Sequence, residues 1–207
     1  MNFLRKYLRK RRARRREAKG VIIKPVEERG YISAEYYQRL HDQNKAYKKN
    51  NWLTDQQILM QLATGRIVLE FGCGNGRFTR LVATVAKIVI ALDWAKSTGF
   101  DDMPGNVEFV QDSVLTAKLP KVDIICSGDV LEHFEKADLK NLLPRIHAAG
   151  KVNYHVIACY DDNHSHLTIE PKEWWLQEFQ SLDTNYRLLN DGSEYREIAI
   201  ISNIETS

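Results

Sequence analysis

Three glycines at alternate positions follow a short apolar segment that has an acid near its end. The segment runs from Ile67 to Phe71 with Glu70 as the acid, and the glycines are Gly72, Gly74 and Gly76. Glycine adopts positive φ without strain and lets a ligand approach the backbone closely. Open parallel sheets bind ligands at the carboxyl ends of their strands. The spacing therefore predicts a ligand-binding loop between a strand and a helix.

A second acid follows at the end of the next apolar run. The run is Ile88 to Leu92, and Asp93 comes 23 residues after Glu70. An acid at the end of the second strand binds the hydroxyls of a ribose in this architecture. A dinucleotide loop would need a third glycine where this chain has Arg77 or Thr79, depending on the register. The residues therefore favour a ribose-containing ligand on a loop of another type.

The pattern from Glu70 to Gly76 resembles the first motif of class I S-adenosylmethionine-dependent methyltransferases. Asn106 to Ser113 resembles the third strand of that family with its terminal acid, and Val122 to His133 resembles its fourth strand and the Leu-Glu-His turn that follows. The resemblance extends over about Asn51 to Ser202. A glycine turn that only joins a strand to a helix is the structural alternative, and the coincidence of strand, glycines, helix and distal acid disfavours it.

The resemblance implies how the methionine end of S-adenosylmethionine would be bound. Glu70 would orient the amino group of the cofactor. Gly72, Gly74 and Gly76 would let the backbone pass beneath the cofactor, and Gly128 would lie near the sulfonium.

The resemblance also implies a set of contacts to the nucleoside. Asp93 would hold the ribose, while Asp112 and Ser113 would bind the adenine edge. Trp94 would lie against the face of the adenine ring, or it would simply pack in the core; the sequence leaves both interpretations open.

A polar loop after the fifth strand is the candidate acceptor site. It runs from Asp161 to Trp175 and contains His164 and His166. The run from His166 through Pro171 to Trp174 resembles a loop of small-molecule methyltransferases in which the histidine faces the substrate. Alignment of nucleophile and methyl supplies about 7–11 kcal/mol, and a histidine base suits an oxygen nucleophile. We expect His166, and secondarily His164, to be catalytic; an exposed polar loop is the alternative.

A metal site is a further alternative for the same loop. Asp161, Asp162, His164 and His166 are ligand types that suit several divalent ions. Four ligands within six residues rarely converge without help from elsewhere in the chain, so we expect no metal there. His133, in the Leu-Glu-His turn, is expected to be structural or to lie beside the cofactor.

Apolar runs alternate with helical segments along the chain, which predicts an α/β fold with a doubly wound, mostly parallel, seven-stranded sheet. The Asn190-Asp191-Gly192 turn between the last two runs predicts a hairpin and therefore an antiparallel last strand. The predicted strands are Arg66–Phe71, Lys87–Leu92, Val107–Val110, Val122–Ser127, Val152–Cys159, Tyr186–Leu189 and Tyr195–Ser202. The predicted helices are Ser33–Lys49, Trp52–Ala63, Arg77–Val85, Ser113–Ala117, Lys136–Ala148 and Pro171–Glu178.

Charge and composition divide the 207 residues into three parts. Residues 1–19 hold ten Lys or Arg and one Glu, so this segment carries +9 and the remainder of a +3 chain carries −6. Phe3, Leu4, Tyr7 and Leu8 form one apolar stripe on this basic amphipathic tail. Residues 20–64 are expected to be helices that cover the cofactor site, although amphipathicity explains their aromatic residues equally well. Residues 65–207 are expected to form the cofactor-binding domain.

Three classes of function remain open for this chain. The first is methyl transfer to a small hydroxyl-bearing molecule, such as a sugar or a glycan precursor, with the tail on an anionic membrane surface. The second is a nucleic-acid methyltransferase with the tail on phosphates, which is less favoured because the body is acidic and Ser127 to Val130 lacks the Asn/Asp-Pro-Pro-aromatic motif. The third is a binding module without chemistry.

The cysteines and the hydropathy indicate the compartment. The three cysteines, Cys73, Cys126 and Cys159, are odd in number and widely spaced, which disfavours a disulfide framework. No stretch approaches the roughly 20 apolar residues of a membrane-spanning helix. We therefore expect a cytoplasmic protein that binds, at most, to the inner face of the membrane.

Overall fold

The computed structural model describes residues 26, 29–44, 51–189 and 197–205. The basic tail 1–19 and the predicted Asn190-Asp191-Gly192 turn lie outside these residues. None of the described helices is long and apolar enough to cross a bilayer.

Seven strands form one sheet in the order β3-β2-β1-β4-β5-β7-β6. Strands β1 to β5 pair in parallel, and β7 is antiparallel to both β5 and β6. The strands are β1 (Ile67–Phe71), β2 (Ile88–Asp93), β3 (Val107–Gln111), β4 (Val122–Gly128), β5 (Gly150–Ala158), β6 (Arg187–Leu188) and β7 (Ile198–Ser202). The predicted fold class, with its antiparallel last strand, is confirmed.

Helices pack on both faces of this sheet, because successive strand residues point to opposite faces. The helices are α1 (Ala34–Gln43), α2 (Gln57–Ala63), α3 (Arg77–Val82), α4 (Lys136–Ala149) and α5 (Lys172–Gln180). Leu69 belongs to the apolar cluster formed with α4 and α5, whereas its neighbour Val68 belongs to the cluster formed with α2 and α3. Both cores are buried, and the strand order changes direction between β1 and β4, which opens a crevice at their carboxyl ends.

One predicted helix is wrong. Residues 113–117 form a turn, in which the amide of Ala117 donates to the carbonyl of Ser113 at 2.7 Å. The guanidinium of Arg145, from α4, donates to the carbonyls of Val114 (3.2 Å), Leu115 (2.5 Å) and Ala117. A side chain from a distant helix thus satisfies carbonyls that a longer helix would have satisfied internally.

The helices before the sheet are shorter than predicted within the described residues. α1 begins after Ser33, whose hydroxyl accepts from the amide of Tyr36 at 3.4 Å and caps the helix. α2 begins only at Gln57, because the Asn51 carboxamide accepts from the amide of Leu53 at 3.0 Å and holds the preceding residues in turns.

Candidate functional site

The glycine loop lies at the carboxyl end of β1 and needs glycine for two separate reasons. Gly72 has a φ of 65° and Gly74 a φ of 54°, in the left-handed region that other residues rarely adopt. A Cβ on Gly72 would lie 2.3 Å from a methyl carbon of Val130, so the residue has no room for a side chain. Both glycines line the crevice and expose their backbone to it.

Gly76 is also left-handed, with a φ of 73°, but it has a different position. It precedes the first residue of α3, and a Cβ there would meet the side chains of Met103 and Phe100 at 2.5 and 3.0 Å. It is not among the described residues that line the crevice. The structure therefore gives Gly76 a role in closing the turn into α3.

Asp93, the last residue of β2, connects the glycine loop to the crevice wall. One carboxylate oxygen accepts from the amide of Gly74 at 2.8 Å, and the other accepts from the amide of Ala95 at 3.0 Å. Burial raises the pKa of Asp93 to about 6, against the opposing effect of these amides. Each oxygen keeps a lone pair, so the carboxylate can still accept from two hydroxyls.

Glu70 is completely buried beneath the loop. Its carboxylate accepts from the hydroxyl of Thr79 at 2.5 Å. Burial raises the pKa of Glu70 to about 8. Glu70 is not among the described residues that line the crevice, so its influence on a ligand passes through the loop above it.

The crevice consists of two adjoining cavities. The larger has a volume of about 480 Å³ and the smaller about 230 Å³, and both include Gly72, Gly74, Asp129 and Tyr160 in their walls. Gly128 lines the smaller cavity, beside the glycine loop. Volumes of this size are typical of sites for small molecules and cofactors.

The predicted nucleoside residues line the larger cavity together. Trp94, Asp112 and Ser113 all contribute to its wall next to Asp93. The ring of Trp94 lies 5.6 Å from that of Tyr37 on α1, so Trp94 belongs to the cavity wall rather than to the main cores. The carboxylate of Asp112 accepts from the amide of Ser113 at 2.7 Å, which orients the end of β3.

The polar loop after β5 is organised by Asp162. One of its carboxylate oxygens accepts from the amides of His164, Ser165 and His166 at 2.8, 2.8 and 3.1 Å. Burial alone would raise the pKa of Asp162, but the neighbouring His166 and these amides outweigh it and hold that pKa well below its usual range. The loop that carries both predicted catalytic histidines is therefore built around one anion.

His166 is buried, with 3% of its surface exposed, and its ring is held in one orientation. Nδ1 lies 2.6 Å from the carbonyl oxygen of Tyr160, which only accepts, so Nδ1 carries the proton. Nε2 is thus the acceptor nitrogen of the ring, 3.9 Å from a carboxylate oxygen of Asp129. Burial, followed by the nearby His133, lowers the pKa of His166.

His133 lies beside His166, with ring centroids 4.9 Å apart. Its Nδ1 is 3.1 Å from the carbonyl oxygen of Ser165, to which it donates. Burial lowers the pKa of His133. In the same turn, the carbonyl of Glu132 accepts from the amides of Leu167 and Thr168 at 2.9 and 3.0 Å, so this turn holds the polar loop against the sheet.

Residues 29–44, which include α1, close the crevice from the opposite side. The guanidinium of Arg29 donates to both carboxylate oxygens of Asp161, at 2.7 and 3.2 Å, and to the carbonyl of His166 at 3.0 Å. The hydroxyl of Tyr36 lies 2.7 Å from Nε2 of His164. These contacts join parts of the chain more than 120 residues apart. Through them, Asp161 and His164 bind the N-terminal segment that covers the crevice.

Three functional candidates were not identified from the sequence. Asp129 follows β4 with a φ of 62°, a conformation that is uncommon outside glycine and is enriched at functional sites. The sequence feature that points to Asp129 is its position as an acid directly after the fourth strand. Arg29 carried no local signal, because its role depends on a loop more than 130 residues away. Tyr160 carried none because it acts through its backbone carbonyl, which any residue would supply.

The residues of the crevice fit the cofactor that the resemblance implies. Two glycines provide a side-chain-free wall, Asp93 provides a hydroxyl acceptor, and Trp94 provides an aromatic surface at the cavity edge. The described residues of the larger cavity include four acids and no Lys or Arg, which suits a ligand that carries a sulfonium and an ammonium.

Comparisons with known proteins agree with this geometry. The sequence profile of a family described as a methyltransferase domain matches residues 29–194. Two Mycobacterium tuberculosis proteins, from strains CDC 1551 / Oshkosh and ATCC 25618 / H37Rv, are each described as a probable S-adenosylmethionine-dependent methyltransferase. Each is 33% identical over an aligned 93 residues, covering 41% of this chain and 34% of the relative. The chain thus spans about a third of the length of these curated relatives.

Solved structures show the same fold at low identity. Burkholderia thailandensis 1,6-didemethyltoxoflavin-N1-methyltransferase, with bound 1,6-didemethyltoxoflavin and S-adenosylhomocysteine, matches with a TM-score of 0.66 and 13% identity, over 82% of this chain and 84% of that chain. A Haloferax volcanii protein described as a methyltransferase, in complex with a methyltransferase activator, matches with a TM-score of 0.64 and 13% identity, over 82% and 95%.

Proposed function

The chain belongs to the methyltransferase domain family, and we propose that it transfers the methyl group of S-adenosylmethionine to a hydroxyl oxygen of a small molecule. A sugar or a glycan precursor is the acceptor class that we favour. One observation carries the proposal: His166 and the glycine loop line the same crevice.

The residues at the ends of β1, β2 and β3 would hold the cofactor. Gly72 and Gly74 leave the space for it, and Asp93 would accept from the ribose hydroxyls. Trp94 would lie against the adenine ring, while Asp112 and Ser113 would bind its edge, since all three line the same wall. Bound there, S-adenosylmethionine supplies an electrophilic methyl group.

His166 would act on the acceptor. Its Nε2 would take the proton of the hydroxyl while the oxygen forms a bond to the methyl carbon, and the electrons of the broken carbon–sulfur bond remain on sulfur. The Tyr160 carbonyl keeps Nδ1 protonated and so keeps Nε2 as the base. Because burial lowers its pKa, the imidazole is neutral near pH 7 and able to accept this proton.

Residues 29–44 would cover the reaction. Arg29 and Tyr36 contact the polar loop, and Gln38 contacts the segment after β2, where its carboxamide oxygen accepts from the amide of Lys96 at 2.9 Å. The cover therefore touches both sides of the crevice. A covered cavity of about 480 Å³ that must also hold a cofactor leaves space for a small acceptor.

The acidic walls disfavour a nucleic-acid acceptor, because phosphates would face Asp112, Asp129 and Asp162.

For the basic segment 1–19, we propose contact with an anionic membrane surface, based on its +9 charge and apolar stripe. Sedimentation with anionic vesicles tests this. Equal pelleting of the full chain and of a variant that lacks residues 1–19 would contradict it, and salt-sensitive RNA binding that needs the tail would favour the nucleic-acid alternative.

The proposed function is tested in two steps. Calorimetric titration of S-adenosylmethionine and S-adenosylhomocysteine into the full chain should give saturable binding of both. Transfer of radiolabelled methyl to a panel of sugars and hydroxylated glycan precursors should then identify the acceptor. Absence of binding of either cofactor form would contradict the whole proposal, whereas binding with label found only on amines would contradict the acceptor class.

Variants of two histidines distinguish the loss of a general base from a loss of activity caused by any histidine substitution. His166→Ala should reduce turnover at least about 100-fold while cofactor affinity changes little, since general bases contribute about 10²–10⁴-fold. His147, a half-buried residue of α4 that contacts the hydroxyl of Tyr186, provides the matched control because it does not line the crevice. Equal losses in His166→Ala and His147→Ala would contradict the assignment.

A further inference from the structure

Three side chains at the acceptor end of the crevice converge on one point. Asp129, His133 and His166 each offer one oxygen or nitrogen atom, and these three atoms lie within 4.8 Å of one another. Ligands at about 2.0–2.2 Å from one ion lie roughly 3–3.5 Å apart, so small side-chain rotations would close the set. The residue that follows β4, a residue of the next turn and a residue of the polar loop are thus brought together by the fold.

Both imidazoles are oriented in the way that metal-binding histidines are. His166 donates from Nδ1 to the carbonyl of Tyr160, and His133 donates from Nδ1 to the carbonyl of Ser165. Metal-ligating histidines almost always donate their second N–H to a carbonyl or a carboxylate, which fixes the tautomer and the ring plane. The remaining nitrogen of each ring keeps its lone pair.

Further carboxyl groups adjoin the cluster. Glu132 is fully buried, and its side chain hydrogen-bonds with that of Asp129. Its Oε1 atom accepts from the amide of Ala158 at 2.7 Å, which fixes the carboxylate in place. Asp162 adds a further acid on the other side of His166. The described residues that line the cavity supply no Lys or Arg to offset these acids.

The backbone at Asp129 is consistent with a ligand site. Its φ of 62° lies in the left-handed region, and its amide donates to the carbonyl of Val156 at 2.9 Å, which fixes the residue at the end of β4. Strained conformations of this kind persist where the surrounding structure determines them, and they cluster at ligand sites.

We propose that Asp129, His133 and His166 bind a divalent first-row transition-metal ion, such as Zn²⁺ or Mn²⁺. Two imidazoles and one carboxylate suit such ions, whereas Mg²⁺ prefers oxygen ligands throughout. The open coordination positions face the cavity and would bind an oxygen of the acceptor. This inference rests on the proposed function and refines one part of it: Asp129, His133 and His166 would hold an ion that binds the acceptor oxygen and lowers the pKa of its hydroxyl. The proton would then leave to solvent as the oxygen bonds to the methyl carbon, and the electrons of the broken carbon–sulfur bond would remain on sulfur.

Cobalt titration of the untagged, chelator-treated full chain tests the site without any turnover. Co²⁺ bound by imidazole and carboxylate gives a visible absorption band, which we expect to saturate at one ion per chain. Zn²⁺ should displace it, and Mg²⁺ should not. His133→Ala and Asp129→Asn should each weaken Co²⁺ binding about 100-fold or more, because even outer-shell changes cost about 10–100-fold. Asn tolerates the left-handed backbone at position 129, so this variant retains the fold.

His164→Ala is the matched control, since His164 lines the same cavity but is not part of the converging set. It should bind Co²⁺ as the wild type does. Absence of a saturable band, or equal binding by wild type, His133→Ala and Asp129→Asn, would overturn the proposal. Titration of S-adenosylhomocysteine into the same samples distinguishes the two claims: cofactor binding without metal binding contradicts only the metal site, and metal binding without cofactor binding contradicts only the proposed function.

Discussion

At the ends of β1 and β2 the crevice wall is held by backbone groups, whereas at the end of β5 it is held by side chains from distant parts of the chain. In the first region the loop amide of Gly74 binds Asp93, 19 residues away. In the second, Arg29 binds Asp161 across 132 residues. The first region is therefore a local property of a strand, a loop and the next strand. The second region has its own hydrogen bonds to Asp162, and the docked N-terminal segment completes it.

Because of this difference, we expect the two regions to have different rigidity and different effects on ligand binding. The first region presents nearly fixed geometry, because φ values and backbone hydrogen bonds leave few alternatives. The second region depends on polar contacts that are individually worth about 0.5–3 kcal/mol and can open separately from the core. We expect substitutions in the first region to change cofactor affinity and those in the second to change the order of the acceptor loop.

The largest effect is expected for Asp93→Ala. The substitution removes the acceptor of the ribose hydroxyls and the partner of the Gly74 amide, so affinity for S-adenosylhomocysteine should fall about 100- to 1000-fold, or roughly 3–4 kcal/mol. Calorimetry measures the loss, with Asp102→Ala, an exposed acid beyond β2, as the control. If both variants bind equally well, the first region does not hold the cofactor as proposed.

The pH dependence of stability should reveal the buried Glu70. Burial raises its folded-state pKa to about 8 from an ordinary value of 4.5, so between these values the folded state keeps a proton that the unfolded state has lost. The free energy of unfolding should therefore fall as pH rises through this range. Relative to Glu70→Gln, the wild type should lose on the order of 3–4 kcal/mol between pH 5 and pH 8.

Urea unfolding of the ligand-free chain at both pH values measures this change. Glu108→Gln, at an exposed position on β3, is the control and should follow the wild type. A constant difference between wild type and Glu70→Gln at both pH values would mean that the carboxyl is ionised in the folded state.

Arg29→Ala should loosen the second region and leave the first intact. The variant loses donors to Asp161 and to the carbonyl of His166, so amide exchange in residues 161–166 should accelerate about tenfold, or roughly 1.4 kcal/mol. Hydrogen exchange measured by mass spectrometry gives this value, and cofactor affinity should change less than about threefold. Arg39→Ala, on the exposed side of α1, is the control. A parallel loss of cofactor affinity would show that the two regions are coupled.

The smallest effect is expected for His164→Ala. The substitution removes the contact with the hydroxyl of Tyr36, while Arg29 still holds the loop. Turnover on the identified acceptor should fall about threefold or less, as expected for one partly exposed contact of less than about 1 kcal/mol. A loss as large as that of His166→Ala would instead place His164 in contact with the acceptor.

The first region could be predicted from the sequence better than the second, for the same physical reason. The fold, the glycine loop and the position of Asp93 followed from spacing within about thirty residues, where local chain geometry decides the outcome. The packing of Gly76 against Met103, the turn at residues 113–117 and the cover by Arg29 did not follow, because each depends on a side chain brought from elsewhere by the fold. The roles of the individual site residues remain predictions.

The docking of residues 29–44 onto the polar loop also has an evolutionary consequence. Much of the wall that faces the acceptor is made by two short segments, residues 29–44 and 160–166, neither of which contributes a strand to the sheet. Neither segment belongs to the apolar cores, so their replacement would leave the strand register, both cores and the glycine loop unchanged. A gene that encodes this domain can therefore diverge toward new acceptors by paired changes in these two segments alone, which makes them the natural target for redesigning its selectivity.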